Sequence, residues 1–76
     1  MTTLAQLSVG ASGRVVRVNQ IDEVSARLLE MGLTPGVDVE VLGAAPLGDP
    51  IELALRGYRL SLRRSEAARV EVEPSR

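Results

Sequence analysis

A chain of 76 residues can build one hydrophobic core and leaves no room for a second domain or for an active-site cleft between domains. It contains no Cys and no His, so a disulfide staple, a thiolate nucleophile, a Ser–His pair and an imidazole acid–base group are all excluded, and a reducing, cytoplasmic setting is expected. Ten acidic residues against nine basic ones, all of them arginine, give a net charge of −1, which provides no chain-wide attraction for nucleic acid.

The opening residues, Met1 to Leu7, lack a basic start and a long apolar run, and Met1 is expected to be frayed. Nowhere does the chain offer the roughly 20 consecutive apolar residues of a membrane span, so neither export nor membrane insertion is expected. With Tyr58 as the sole aromatic, the core has to come from Val, Leu, Ile and Ala, a composition suited to strands. Alternation at period two marks five of them. Arg14 to Asn19 places Val16 and Val18 on one face, and Val37–Val41, Ile51–Leu55, Tyr58–Arg63 and Arg69–Glu73 follow. Five short strands in so small a chain predict a mostly β fold, a partly open five-stranded barrel, because closure removes edges that two tiny sheets would expose.

Between the first two strands, Ile21, Val24, Leu28 and Met31 recur at helical spacing and predict an amphipathic helix of about three turns whose stripe covers one barrel end. Asp22 is placed to cap its start and Gly32 to end it in the left-handed conformation, after which Leu33 folds back onto the last turn. Arg27 and Glu30 then face solvent, close enough for a weak local ion pair. Thr34-Pro35-Gly36 carries the residues of a type II turn, Gly57 those of a tight hairpin, and Ser65 is placed to cap a single helical turn through Glu66, Ala67 and Ala68.

The long connection from Gly43 to Pro50 has more residues than a hairpin requires and is stiffened by two prolines, which makes it the candidate binding surface. Leu47, between Pro46 and Gly48 and followed by Asp49, either anchors a partner or tucks back to plug the barrel end. Tyr58 lies on the core-facing register, so a buried ring with its hydroxyl at the rim is expected, and it is a secondary contact candidate. The carboxylate pairs Asp22–Glu23 and Glu71–Glu73 read as a dipole complement and a solvated face, and no constellation of an enzyme active site is present. Carboxylates, carbonyls and the thioether of Met31, itself at core-filling spacing, do not make a tight site for a first-row metal, and no cofactor is expected. One tyrosine cannot line a groove for proline-rich peptides, whereas strand addition at an open barrel edge needs only backbone, which leaves a homodimer open.

Taken together, Arg27-Leu28-Leu29-Glu30-Met31-Gly32-Leu33-Thr34-Pro35-Gly36 resembles the helix-to-turn signature of FeoA proteins. Upstream, Leu4, Leu7, Gly10, Gly13, Arg14 and Val16 resemble the family's opening; downstream, Ala45–Pro50 resembles its central loop and Gly57–Ala67 its ending, so the likeness runs from about Leu4 to Val72 as one domain within residues 1–76. The resemblance implies an SH3-like barrel with an added helix, acting in bacterial ferrous-iron uptake, a transition-metal context, beside the FeoB permease and its cytoplasmic G-protein part. The partner-contact candidates are Arg27, Glu30, Met31, Pro46, Leu47, Gly48, Asp49 and Tyr58. The same small domain is similar to the C-terminal SH3-like domain of iron-dependent repressors, so a regulatory interaction domain is the alternative.

Overall fold

In the computed structural model, which describes residues 2–75, six antiparallel strands form one sheet in the order β1-β6-β2-β3-β4-β5. They are β1 (Thr2–Thr3), β2 (Ser12–Val18), β3 (Asp38–Ala44), β4 (Ile51–Leu55), β5 (Tyr58–Leu62) and β6 (Val70–Pro74). A 3-10 turn at Leu4–Gln6 follows β1, helix α1 (Glu23–Glu30) joins β2 to β3, and α2 (Arg64–Ala67) joins β5 to β6. The sheet curls around buried aliphatic side chains, among them Val15, Val39, Leu53, Leu62 and Val70, with Leu28 of α1 entering from one end. Met1 lies outside the described residues.

Five strands were expected and six occur: Thr2 and Thr3 pair with Val72 and Glu71, a two-residue strand too short to leave a periodic signal. Along β2 the inward residue is Val15, 1 % exposed, while Val16 is out in solvent, contrary to the expected Val16–Val18 face. A bulge explains it. Pairing with β6 passes from Val15↔Val72 to Arg17↔Glu71, so Val16 is the extra residue and the alternation is re-phased before half-buried Val18 meets Val70.

Helix α1 is capped by Asp22, whose carboxylate accepts from the Ser25 backbone N–H at 3.0 Å. Ile21 therefore stands ahead of the cap, outside the helical wheel, and is fully exposed rather than part of the buried stripe; Ser25 and Leu28 take the inner positions, flanked by half-buried Val24 and Met31. The helix ends as expected at Gly32, φ 107°. Gly32 N–H donates to Leu29 O and Leu33 N–H to Leu28 O, the Schellman arrangement, and Leu33 drops wholly into the core. The Tyr58 hydroxyl donates to the Met31 carbonyl at this same helix end, occupying the space a Cβ on residue 32 would need.

The turns of the sheet follow the sequence. Val37 N–H donates to Thr34 O at 3.2 Å with Gly36 at positive φ, and both Arg56 and Gly57 are left-handed in the two-residue β4–β5 hairpin. Helix α2 starts two residues earlier than expected: Arg63, not Ser65, is its N-cap, because the carboxylate of Glu66 accepts the Arg63 N–H at 3.0 Å and that of Asp49 accepts the Arg64 N–H at 2.9 Å. Glu71 is also misplaced by the sequence reading. In a strand flanked on both sides it is 7 % exposed and pairs with Arg17 at 3.6 Å, rather than facing solvent with Glu73.

Gly32→Ala is expected to lower unfolding free energy by at least about 1–2 kcal/mol in urea titration, from the left-handed backbone alone. Tyr58→Phe in the Gly32→Ala background recovers part of that loss, because it removes the atom against which the new methyl collides.

Candidate functional site

The connection after β3 is shorter and more ordered than the Gly43–Pro50 loop expected, because β3 runs on through Ala44 past a bulge at Val41/Gly43. Within it Gly48 N–H donates to Ala45 O at 2.7 Å and Ala45 N–H to Pro50 O at 3.0 Å, and the Asp49–Pro50 peptide is cis. Arg64 fixes this loop to the body of the molecule. Its backbone N–H binds Asp49, its Nε donates to the Gly48 carbonyl, and its Nη1 donates to the Ala5 carbonyl of the 3-10 turn at 3.1 Å.

On that anchored loop Leu47 is 96 % exposed, so it does not tuck back to plug the barrel end. Pro46 and Asp49 are exposed beside it and Gly48 is half-buried. Val9, 62 % exposed, lies in the segment that follows the 3-10 turn, the same turn to which Arg64 ties the loop.

The other candidates gather at the C-terminal half of α1 and along β5. Arg27 does not pair with Glu30; its guanidinium reaches Glu66 of α2, which holds Arg63 N–H with its other oxygen. Glu30 is exposed and makes no ion pair among the described residues. Met31 is half-buried against the core, as its spacing suggests, and its carbonyl accepts from Tyr58. The Tyr58 ring is not buried: it is 43 % exposed, because the hydroxyl seeks the unsatisfied carbonyls at the helix end and pulls the ring across the outside of Gly32.

Helix α2 joins the two groups. Asp49 from the loop, Glu66, which holds Arg27, and Pro50, Ser61 and Arg63 line one shallow depression of about 310 Å³ between them. Sequence reasoning missed Arg64 and Glu66 as the connectors, since an Arg-Arg-Ser-Glu run carries no signal of partners fifteen to fifty-nine residues away.

A second polar cluster secures the start of α1. Arg69 Nη1 donates to both oxygens of Asp22, at 2.6 and 2.5 Å, while Ser25 Oγ donates to the Asn19 carbonyl at 2.8 Å. The Arg69 hydrogen bonds, reinforced by the Ser25 N–H, hold the Asp22 carboxyl at a pKa of about 2. Among the described residues no group of three or more Asp, Glu, His or Cys side chains converges as a metal site would require, and no helix is long and apolar enough to cross a membrane.

The family model described as the FeoA domain matches residues 2–74. The chain belongs to the FeoA family. It is therefore a member of a family of ferrous-iron transport. It is 40 % identical over 70 residues, 92 % of its length, to the Fe(2+) transport protein A/Fe(2+) transporter FeoB fusion protein of Porphyromonas gingivalis, and it spans 8 % of that much longer protein. The FeoA-like protein of Clostridium acetobutylicum superposes with a TM-score of 0.90 at 37 % identity, covering 100 % of this chain and 92 % of that one. The Stenotrophomonas maltophilia FeoA solved with zinc, described as a prokaryotic SH3-domain protein, does so at 0.87 and 32 %, covering 96 % and 91 %. A manganese-dependent transcriptional repressor shares the fold at a TM-score of 0.87, over 96 % of this chain and 36 % of that one, at only 20 % identity.

The Asp22–Arg69 pair sets an acid limit on stability. Because the folded pKa lies below the ordinary 3.8, its contribution is fully present above about pH 4 and is lost as pH falls toward 2. Asp22→Asn keeps a capping oxygen but not the charge, so the difference in melting temperature between the parent and this variant, clear at pH 6, is expected to close on acidification across that window.

Proposed function

We propose that this chain is a cytoplasmic accessory of bacterial ferrous-iron uptake that binds the cytoplasmic part of a FeoB-type permease and modulates it. The observation that carries the reading is the Porphyromonas gingivalis relative, in which a domain 40 % identical to this one is joined to the transporter in one polypeptide. A covalent tether replaces an encounter that separate chains must make by affinity. The docking surface in this proposal is the Ala45–Asp49 loop with the neighbouring Arg27, Glu30, Met31 and Tyr58.

The physical support is Leu47. An isolated leucine almost wholly in water, presented by a loop that Arg64 holds at Gly48 and Asp49 and ties to Ala5, loses little conformational freedom when it enters an apolar pocket, which is how a small interface gains affinity. The alternative, a regulatory interaction domain akin to the SH3-like domain of iron-dependent repressors, rests on a 20 % identical likeness that speaks for the fold alone. Neither nucleic acid nor bilayer is a partner in this reading.

Calorimetric titration of the cognate permease's cytoplasmic G-protein part, with and without GTP analogues, is expected to give a Kd of about 10 μM or tighter. Leu47→Asp is expected to weaken it at least about tenfold, a loss of about 1.4 kcal/mol, while leaving the melting temperature unchanged. Arg64→Ala should weaken binding in the same direction and speed amide exchange at residues 45–49. Absence of binding in every nucleotide state by a folded partner would remove the G-protein part as the target.

A further inference from the structure

We propose that a second copy of this chain docks on the free edge of β5, the two β5 strands running antiparallel about Leu60. This rests on the sheet edge and not on the permease reading.

The parity of the β4–β5 hairpin determines which groups face outward. Leu55 and Tyr58 flank the two-residue turn, so Tyr58, Leu60 and Leu62 turn their backbone N–H and C=O toward β4, and Arg59 and Ser61 turn theirs the other way. The Arg63 N–H obeys the same parity: it points off the edge and is taken by Glu66. The ends of the strand are thus occupied, Tyr58 by its hydroxyl on α1 and Arg63 by α2, and the segment between them carries unpaired backbone. Among the described residues, neither Arg59 nor Ser61 has a backbone partner on that side, and both are exposed. The edge has no proline, bulge or lysine to discourage pairing, whereas the opposite edge, β1, is only two residues long.

Charge selects another copy as the occupant. On the outer face Glu52 of β4 lies beside Ser61 and Ala54 beside Arg59. Pairing two β5 strands about Leu60 sets Arg59 opposite the second copy's Ser61, so the outer row reads Ala54, Arg59, Ser61, Glu52 across the junction. Arg59 then extends over a serine to a glutamate two strands away, about 10 Å between backbones, and the two-fold axis makes this contact twice. In the single chain Arg59 and Glu52 belong to no ion pair among the described residues. Arg59 and Ser61 exchange N–H···O=C bonds in both directions, and half-buried Leu60 meets its own copy as a non-hydrogen-bonded pair. No like charges stand directly opposite each other at the junction, although Arg59 lies diagonal to Arg59 of the second copy across the two-fold axis.

So small an interface associates weakly, and sedimentation and NMR are run on the full chain at up to about 1 mM. Concentration-dependent dimer formation, with the Arg59 and Ser61 amides gaining protection as dimer forms, is expected. Ser61→Pro deletes one outward N–H and spares the β4 ladder, and should leave a monomer of unchanged circular dichroism. Arg59→Glu or Glu52→Arg alone should weaken association at least about threefold, and the double swap should restore it. In a chain without native cysteine, L60C should cross-link on oxidation, its Cα atoms being about 4.5 Å apart across the axis, whereas S61C should not. A monomer at every concentration, a dimer indifferent to Ser61→Pro and the charge swap, or protection of Arg59 and Ser61 appearing only when the permease's cytoplasmic part is added would each overturn the proposal.

Discussion

The two ends of this sheet never meet: β5 pairs only with β4, and β1 only with β6. A six-stranded barrel that is not closed by backbone must be closed by something else, and here side chains supply the closure. Arg64 spans from α2 to the carbonyl of Ala5 beside β1 and to that of Gly48, while Glu66 ties α2 back to Arg27 on α1. One short helix of four residues consequently carries connections that fix the loop, add a tie to α1 and occupy one end of the β5 edge. Each of these bonds is partly exposed, so individually they are weak; their effect lies in converging on one element.

How much of this was legible in the sequence follows from the range of the interactions. Local rules worked. The Asp22 cap, the Gly32 stop with Leu33 behind it, the Pro35-Gly36 turn and the Gly57 hairpin are all settled within four or five residues, and each stands where local chemistry puts it. Period-two alternation located the strands but not their phase at β2, where one inserted residue reverses which valine is inside. No local pattern announces a bulge.

The side chains of the candidate site were harder to place for the same reason. Leu47 could be assigned to a loop but not to its inside or outside, a choice made by Arg64 from far along the chain. Tyr58 was drawn out of the core by a carbonyl at the end of a helix, and Arg27 was drawn from its neighbour Glu30 to Glu66, thirty-nine residues on. Charged groups in so small a body have many partners within reach, and proximity in sequence decides little among them. The same holds for Glu71, whose burial comes from strands on either side of it and not from its own polarity.

The exposed position of Tyr58 has an optical consequence. With no tryptophan or phenylalanine, the aliphatic interior is silent in the near ultraviolet, and the aromatic signal of the whole protein originates at one ring on the surface. That ring donates its hydroxyl to the Met31 carbonyl at the end of α1, so its emission and circular dichroism register the seating of the helix against the hairpin and not the melting of the core. A spectroscopic transition in this molecule reads a latch, and a method sensitive to the backbone is needed to read the barrel beneath it.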